Sequence, residues 1–451
     1  MTKFGLLLLS SVMLSGCFTG SPNFPTLNMQ KIWGSENNQT IEIVEHTALK
    51  KWWLGFNDPV LNTLIDYSMS DSPDRLIAAA RISEARGVRR TARSNLLPQI
   101  GASLLGGRQD NGVIGADNYY DAAFDASFEI DVFGKNRKNL NAADAQIEAL
   151  EAQYQDVTLT LVAEVTRSYI GYRAFQKQNI IAKKNLEIQE KTLDLIRQQF
   201  EFGEAPRLDV ERSENLVNTT RSSIPEFKRL ADNARLQLIV LTGQLPDTLL
   251  SILSETADIP GASVRTVLMT PADVLTIRPD IRAASANLEA NTKLAESVTA
   301  ELLPNFTISG FYGIAENALT NSTSVWNIAL GAAVSLLDFG RIEGRIDAAR
   351  AREVQAFQLY RKTILEAVSE VETALTDIAH INEQRVSLQK AYQNADQAFM
   401  LSESLYREGE ISFLDVLDAQ RTVNEADSAL ITAEAAQAES LVRLFKSLGV
   451  Y

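Results

Sequence analysis

The sequence is poor in the residues that build metal centres and covalent cross-links. Its 451 residues include one cysteine and two histidines, which excludes a disulfide framework and a zinc cluster. The histidines, His46 and His380, lie far apart, with no metal-ligand spacing around either. A G-x-x-x-x-G-K phosphate loop and an H-E-x-x-H helix motif are also missing. We therefore predict no catalytic residue, no metal site and no enzymatic activity.

Basic charge and long apolar runs are scarce as well. The chain has 43 Lys and Arg against 57 Asp and Glu, a net charge of −14, which makes nucleic acid an unfavourable partner. Beyond the N-terminal segment, no stretch is apolar over the roughly 18 residues that a membrane-spanning helix requires. Any insertion into a membrane must therefore use another kind of structure or a covalent anchor.

The N-terminal segment MTKFGLLLLSSVMLSGC has the layout of a secretory signal. Lys3 precedes an apolar run over residues 4–14 that is too short to span a membrane. Cys17 follows Leu-Ser-Gly, where a bacterial lipoprotein signal places its nucleophile. We predict that residues 1–16 are removed and that Cys17 is acylated, because two or three acyl chains anchor a protein stably. An ordinary signal peptide with a chance cysteine is the alternative.

The chain repeats itself at an offset of 206 residues. QFEFGEAPRLDV at 199–210 corresponds to LYREGEISFLDV at 405–416, and the same offset relates Pro73 to Pro279 and Phe133 to Phe339. Chance does not preserve one offset over so many markers, so we predict a tandem duplication. The predicted segments are a lipidated N-terminal segment 17–72, a first copy 73–243, a linker 244–278 and a second copy 279–451.

Each copy predicts a helix followed by two strands. Proline opens the helices 73–97 and 279–303, where its missing N–H costs nothing, and a further proline follows each helix. AFDASFEIDVF at 123–133 alternates apolar and acidic side chains with the period of a half-exposed strand. The predicted strands are 99–109, 123–133, 305–315 and 325–338, with polar loops at 110–121 and 316–324.

A very long helix follows the strands of each copy. Residues 138–201 and 345–407 contain no proline, and each would span about 95 Å. In the second copy, apolar residues recur every three or four positions, as in a coiled-coil seam. Return helices are predicted at 208–243 and 412–448, so the duplicated motif forms two hairpin tips, near 203–209 and 409–415. Gly203 and Gly409 can adopt the left-handed conformation at a helix C-terminus.

The predicted strands require a partner surface. Their length of about 10 residues and their apolar face suit a transmembrane β-barrel. One chain supplies four strands, and open strand edges cannot exist in lipid. Three chains would supply about twelve strands, an even antiparallel number. A soluble sandwich is the alternative, but the helices are too long to pack on so small a sheet.

In this order and spacing, the motifs resemble one family closely. The chain is similar to the outer membrane factors, the TolC-like channels, in the lipoprotein branch that serves resistance-nodulation-division efflux pumps. The resemblance implies a homotrimer with one 12-stranded β-barrel and a long periplasmic α-helical coiled-coil barrel. It also implies a periplasmic adaptor and an inner-membrane transporter as partners, and a lipid-anchored position in the bacterial outer membrane. The matching motifs are WWLGFNDPVLNTLI (52–65), SFEIDVFGK (127–135), IRPDIRAA (277–284) and LYREGEISFLDVLDAQ (405–420).

The resemblance also implies roles for residues at the hairpin tips. Asp415 and Asp418 match the carboxylates that ring the pore constriction of the family, and their spacing places them on one helix face. A solvated pair, with Asp415 serving only as an anion at the helix start, is the alternative. The family often has a basic residue at the position of Ile411, and Arg207 is the candidate substitute. The residues predicted for adaptor docking are Gly203, Leu208, Asp209, Tyr406, Gly409 and Leu414.

These observations predict a passive exit duct for small toxic compounds or drugs in a tripartite efflux system. No cofactor is expected beyond the covalent lipid on Cys17. A channel for type I protein secretion has identical duct physics and is a second interpretation. A structural lipoprotein that tethers the envelope through its coiled coils is a third, but such a tether needs no amphipathic strands.

Overall fold

The computed structural model describes residues 33, 42–43, 50–110, 112, 115–261, 267–317 and 320–450. The predicted signal segment and Cys17 lie outside these residues. The chain divides into two compact units. The strand unit contains 83–149 and 284–362, and the hairpin unit contains the described parts of 29–82, 150–283 and 363–451.

The first half of the chain contains the first copy of the repeat and the segment before it. Prolines occupy the first positions of two of its helices, as expected for residues that lack an N–H. A short 3₁₀ helix, Trp52–Phe56, precedes them. The elements are β1 (Glu42–Ile43), α1 (Pro59–Asp71), α2 (Pro73–Ser94), β2 (Gln99–Asp110), β3 (Ala116–Ile130), α3 (Lys135–Glu201) and α4 (Arg207–Thr242).

The linker and the second copy follow the same plan. The linker carries two short helices and a two-residue strand that pairs in parallel with β1. A 3₁₀ turn at Ala300–Leu302 extends the first helix of the second copy. The elements are α5 (Pro246–Leu253), β4 (Val267–Leu268), α6 (Pro271–Ile277), α7 (Pro279–Thr299), β5 (Asn305–Asn317), β6 (Thr320–Ala333), α8 (Arg341–Arg407) and α9 (Phe413–Ser447).

The long helices lie where the sequence predicts them. Helices α3 and α8 each contain 67 residues and begin three or four residues before the predicted starts. The two halves of the repeat therefore build helices of equal length. Within the described ranges, no helix combines the length and the apolar composition that crossing a bilayer requires.

The strand bounds correct the prediction. Strand β3 covers 116–130 rather than 123–133, and β6 covers 320–333 rather than 325–338. Most of the predicted loop residues therefore belong to longer β-hairpins. Polar side chains are compatible with a strand that has one face in contact with water. Strand β3 ends early because Asp131 caps the next helix instead, and Asp338, five residues after the end of β6, caps the helix that follows. Asp131 accepts from two backbone N–H groups of α3, and Asp338 accepts from the N–H of Ile342 in α8.

The core of the hairpin unit joins the chain's first described segments to its last helix. Trp52 stacks on Phe445 of α9 with ring centroids 5.1 Å apart, and its indole N–H donates to the Val450 carbonyl. Arg173 of α3 is fully buried and donates to the Tyr169 hydroxyl and to the Glu255 carbonyl. These contacts explain why the WWLGF motif belongs to the fold although it precedes the repeat.

Candidate functional site: the apolar sheet face and the paired hairpin tips

The strand unit presents a continuous apolar sheet face. The four strands pair antiparallel in the order β2-β3-β5-β6. Directly paired residues lie on the same face of a sheet, and one row runs from Phe124 through Tyr312 to Trp326. Another runs from Phe128 through Ile308 to Leu330. The register therefore places these apolar rows, built from both copies, on one face, as the alternation predicts.

The apolar face is uncovered in the chain. Trp326, Ile328 and Leu330 are each at least 70% exposed, and so are Ile100 and Leu104. Exposed apolar patches of this kind mark a surface for lipid or for a partner. The opposite face carries polar residues at the paired positions Ser127 and Ser309. Such a sheet suits a wall between hydrocarbon on one side and water on the other.

The outer strands of the sheet each have one partner among the described residues. Strand β2 pairs only with β3, and β6 pairs only with β5. Each therefore presents a row of backbone N–H and C=O groups at an open edge. An open edge of this length invites pairing with another strand. The sheet is thus one portion of a larger one.

The hairpin tips of the two copies share one backbone geometry. Gly203 and Gly409 both have positive φ, at 76° and 81°. In each tip the next residue's N–H bonds back five residues, from Glu204 to Gln199 and from Glu410 to Leu405. This pattern ends a helix with its last carbonyls satisfied. The left-handed conformation expected for both glycines is therefore confirmed.

The return helices begin differently in the two copies. In α9, Ser412 and Asp415 form a capping box, with the Asp415 carboxylate accepting from the Ser412 N–H at 3.0 Å. In α4 the cap position is Pro206, which offers no side-chain bond. Asp209 instead pairs with Arg212, one turn along the same helix, at 3.5 Å. Asp415 thus stabilises the start of its helix. This is the role it has in the alternative interpretation, in which it is a solvated anion at the helix start.

Tyr406 joins the two tips. Its hydroxyl donates to the Gln199 side-chain carbonyl at 2.8 Å, across 207 residues of sequence. Its ring packs against Phe413, with centroids 5.5 Å apart. Burial, and then the nearby charge of Asp209, raise the pKa of the Tyr406 hydroxyl, so it stays a donor at neutral pH. Tyr406 therefore faces the other tip rather than open solvent.

An apolar cluster lies beneath this contact. Ile196 of α3 packs with Phe413, Val416 and Leu417 of α9, all of them buried. Ile411 packs against the same cluster. Apolar contact therefore occupies the position at which the family often has a basic residue. Arg207, the candidate substitute, pairs with Glu211 of its own helix in the single chain.

The remaining predicted tip residues are exposed. Leu208 and Leu414 are about half exposed, at 56% and 48%. Asp418 is exposed and pairs with Arg421, one turn along α9, at 2.9 Å. Asp415 and Asp418 thus lie at the surface of the same helix, but in the single chain each already has a partner.

A groove of about 990 Å³ separates the two hairpins above the tips. Helices α3 and α4 line one side of it, and α8 and α9 line the other. Its lower end is bounded by Leu414, Leu417 and Asp418, which links the groove to the predicted constriction residues. Sequence reasoning missed the pairing partners Gln199 and Phe413. A three- and four-residue spacing from Phe413 through Leu417 to Gln420 was the available signal for the buried face of α9.

The fold and these two surfaces define a class: an outer membrane channel whose wall is shared between chains. The sequence profile described as outer membrane efflux protein matches residues 64–244 and, a second time, 270–450. Both ends of the two matches differ by 206 residues, the offset of the internal repeat. The chain belongs to the outer membrane efflux protein family, and its location is the bacterial outer membrane.

Several relatives cover nearly the whole chain. The pyoverdine export outer membrane protein OpmQ of Pseudomonas aeruginosa is 30% identical over 89% of this chain and 87% of its own length. The probable outer membrane lipoprotein SilC of Salmonella typhimurium is 26% identical over 100% of this chain and 99% of its own. The solved outer membrane channel OprN superposes with a TM-score of 0.88 at 30% identity, covering 96% of this chain and 99% of that one. The fold is that of the TolC-like channels.

Proposed function

We propose that three copies of this chain share one 12-stranded barrel and form the exit duct of a tripartite efflux system. The duct is passive, because no energy-coupling motif occurs in the sequence. A periplasmic adaptor and an inner-membrane transporter of the resistance-nodulation-division type deliver small toxic compounds to it. Membership of the outer membrane efflux protein family and the name of OpmQ as an export protein both support export over envelope tethering.

The four-stranded sheet with an uncovered apolar face is the observation that carries this proposal. In lipid, the open edges of β2 and β6 would leave backbone groups unpaired, which costs several kcal/mol for each group. Pairing β6 of one chain with β2 of the next chain satisfies these groups and closes the barrel. Three copies supply an even number of strands within the range of known barrels.

Planar-bilayer recording of the purified full-length chain tests the duct. A shared barrel gives a trimer that resists detergent and dissociates on heating, and it gives unitary conductance steps. A tethering lipoprotein gives a monomer or a coiled-coil oligomer without conductance. Stable trimers that never conduct, even after the tips are loosened by Tyr406→Phe, would contradict the proposal.

The pore constriction is the second part of the proposal. Asp415 and Asp418 from three chains ring the closed end of the duct and attract cations. Their exposure on one helix face supports this placement, and the Arg421 partner of Asp418 moderates the charge. Asp415→Asn with Asp418→Asn is expected to lower cation selectivity, measured as the reversal potential across a salt gradient. Asp209→Asn is the matched control in the first copy. Equal cation selectivity in the wild type, the double variant and this control would show that Asp415 and Asp418 do not line the pore.

The tips also carry the proposed adaptor contact. Leu208 and Leu414 offer exposed apolar side chains beside the reversals at Gly203 and Gly409. The bond from Tyr406 to Gln199 and the apolar cluster beneath it hold the tips closed until the adaptor engages. Leu208→Asp with Leu414→Asp is expected to abolish co-purification of the adaptor while the trimer persists.

Acylation of Cys17 completes the proposed attachment to the membrane. The sequence of the signal segment and the relative named as a lipoprotein, SilC, support it. Cys17→Ser is expected to abolish incorporation of radioactive palmitate. Continued labelling of that variant would contradict the assignment.

A further inference from the structure

An exposed basic surface lies at the helix ends that adjoin the first strand pair. It consists of Arg90 and Arg93, near the end of α2, and Arg137, in the first turn of α3. All three side chains are exposed, and none forms an ion pair with a residue in the described part of the chain. In a chain with a net charge of −14, three unpaired arginines in one place require an explanation.

Helix pairing brings the three arginines close together. Arg89 of α2 pairs with Asp144 of α3, so the two helices lie side by side and run in opposite directions. Arg93 lies four residues from this pair toward the strands, about 6 Å along the axis, and Arg137 lies seven residues from it, about 10 Å. Arg90, one residue from the pair, lies about 1.5 Å along the axis, so the three arginines are spread over about 9 Å along the two helices.

Helix electrostatics does not account for Arg137. Cations near a helix C-terminus are favourable, so Arg90 and Arg93 would be unremarkable alone. A cation in the first turn of a helix is unfavourable, because the N-terminal end is positive. Helix α3 has no acidic residue in its first turn, whereas α8 has Glu343 at the equivalent position. The first turn of α8 thus balances Arg341 with Glu343, whereas the first turn of α3 carries cations alone.

The second copy carries the opposite charge at two of the three positions and no charge at the third. Arg90 and Arg137 correspond to Glu296 and Glu343, and Arg93 corresponds to Thr299. The scaffold therefore does not need arginine there, since an equivalent scaffold forms without it. The cations respond to something outside the chain that lies against the first copy.

The position of the surface identifies that environment. Strand β2 begins at Gln99, six residues after Arg93, and the exposed apolar residue Ile100 follows at once. The basic surface is thus continuous with the apolar sheet face at the edge where the helices begin. In an outer membrane protein whose helices are periplasmic, this edge meets the headgroups of the periplasmic leaflet. Basic residues beside a membrane attract anionic lipid by about 1 kcal/mol each.

We propose that Arg90, Arg93 and Arg137 form a binding surface for the phosphate of anionic phospholipids in the periplasmic leaflet. The guanidinium groups bind phosphate through paired N–H donors, and the lipid tails continue onto the apolar sheet face. The surface occurs once in each chain, on the first copy only. This inference depends on the membrane position of the sheet, but not on the identity of the substrate, pump or adaptor.

Native mass spectrometry of the purified full-length protein tests the inference. The protein is equilibrated with equal amounts of phosphatidylglycerol and phosphatidylcholine, and the retained lipids are counted. The wild type is expected to retain phosphatidylglycerol preferentially, and less of it as salt rises. Arg90→Gln, Arg93→Gln and Arg137→Gln combined should reduce that retention by about tenfold or more. Glu343→Gln, the matched change in the second copy, should leave it intact.

The readouts separate this inference from the proposed duct. Trimer mass and conductance report on the duct, and both should be the same in the wild type and the triple variant. A wild type that forms no trimer or does not conduct would count against the duct and not against the lipid site. Equal phosphatidylglycerol retention by the wild type and the triple variant would overturn the lipid site. Competition by inorganic phosphate at the concentration of the lipid would show a site for free phosphate instead. A shifted reversal potential with unchanged lipid retention would place the arginines in the lumen.

Discussion

The two copies of the repeat build the same elements with different chemistry at equivalent positions. Both have a long helix of 67 residues and a tip reversal at a left-handed glycine. In the first copy, buried Arg173 binds tyrosine and carbonyl partners, whereas its equivalent in the second copy is Ala379. At the tips, Asp415 closes a capping box, whereas the first copy begins its return helix at Pro206.

The comparison separates what the fold requires from what each copy adds. Features present in both copies, such as the helix lengths and the tip reversal, are sufficient to explain the scaffold. Features present in one copy respond to surroundings that only that copy meets. Arg173 meets the linker carbonyl of Glu255, and the arginines of the basic surface adjoin the helix-side end of the first strand pair. An internal repeat therefore supplies a control for each position.

The largest expected effect comes from removing the buried charge of the first copy. Arg173→Ala would leave a cavity and would deprive Tyr169 and the Glu255 carbonyl of their donor. We expect a loss of about 3 kcal/mol or more in the free energy of unfolding, because both a cavity and unpaired polar groups result. Thermal unfolding followed by circular dichroism measures it. Ala379→Ser, at the equivalent position, is the control. Similar losses of unfolding free energy in the two variants would show that Arg173 contributes no more to stability than its equivalent.

Breaking the face of the sheet should have the next largest effect. Phe124→Arg places a charge on the apolar face near the midpoint of β3 and is expected to cost about 2–4 kcal/mol near the middle of the bilayer. Asp125→Arg changes the neighbouring residue on the polar face and should be tolerated. Trimer yield in outer membrane extracts distinguishes the two variants. Equal yields would mean that the faces are assigned wrongly.

The smallest expected effect concerns Asp427, in the middle of the second hairpin. Burial raises the pKa of its carboxyl, with Glu434 and Asp396 adding to the rise and Lys177 and Lys184 opposing it. Its equivalent in the first copy is Arg221, which pairs with Glu190 at the surface.

A raised pKa means that the folded protein binds this proton more readily than the unfolded chain. Asp427 therefore lowers stability as pH rises from the ordinary aspartate pKa through its raised folded-state pKa, and the penalty is largest above that folded-state pKa. Asp427→Asn should raise the melting temperature at pH 7, and the gain should disappear toward the ordinary pKa of an aspartate, about 3.9. A gain that does not change with pH would contradict the titration and leave packing as its cause.

The sequence predicts the repetitive parts of this fold better than its boundaries. The offset between the copies and the long proline-free helices are strong signals, because they recur over many residues. The alternation in 123–133 continues past the true end of β3, since Asp131 fits the acidic face of a strand and also the cap of a helix. The bond between Tyr406 and Gln199 has no local signal, because it depends on how two distant tips pack.

The central claim is that β6 of one chain pairs with β2 of the neighbouring chain. Cysteine pairs across this junction test it directly, with Ser103→Cys on β2 combined in turn with Thr323→Cys, Val325→Cys, Asn327→Cys or Ala329→Cys on β6. All five positions lie on the polar face, where an oxidant in water can reach them. The wild type, with only Cys17, is the control. We expect at least one pair to give covalent dimers and trimers and nothing larger on a non-reducing gel. Monomers alone for every pair, or a ladder that continues beyond three chains, would contradict the shared barrel.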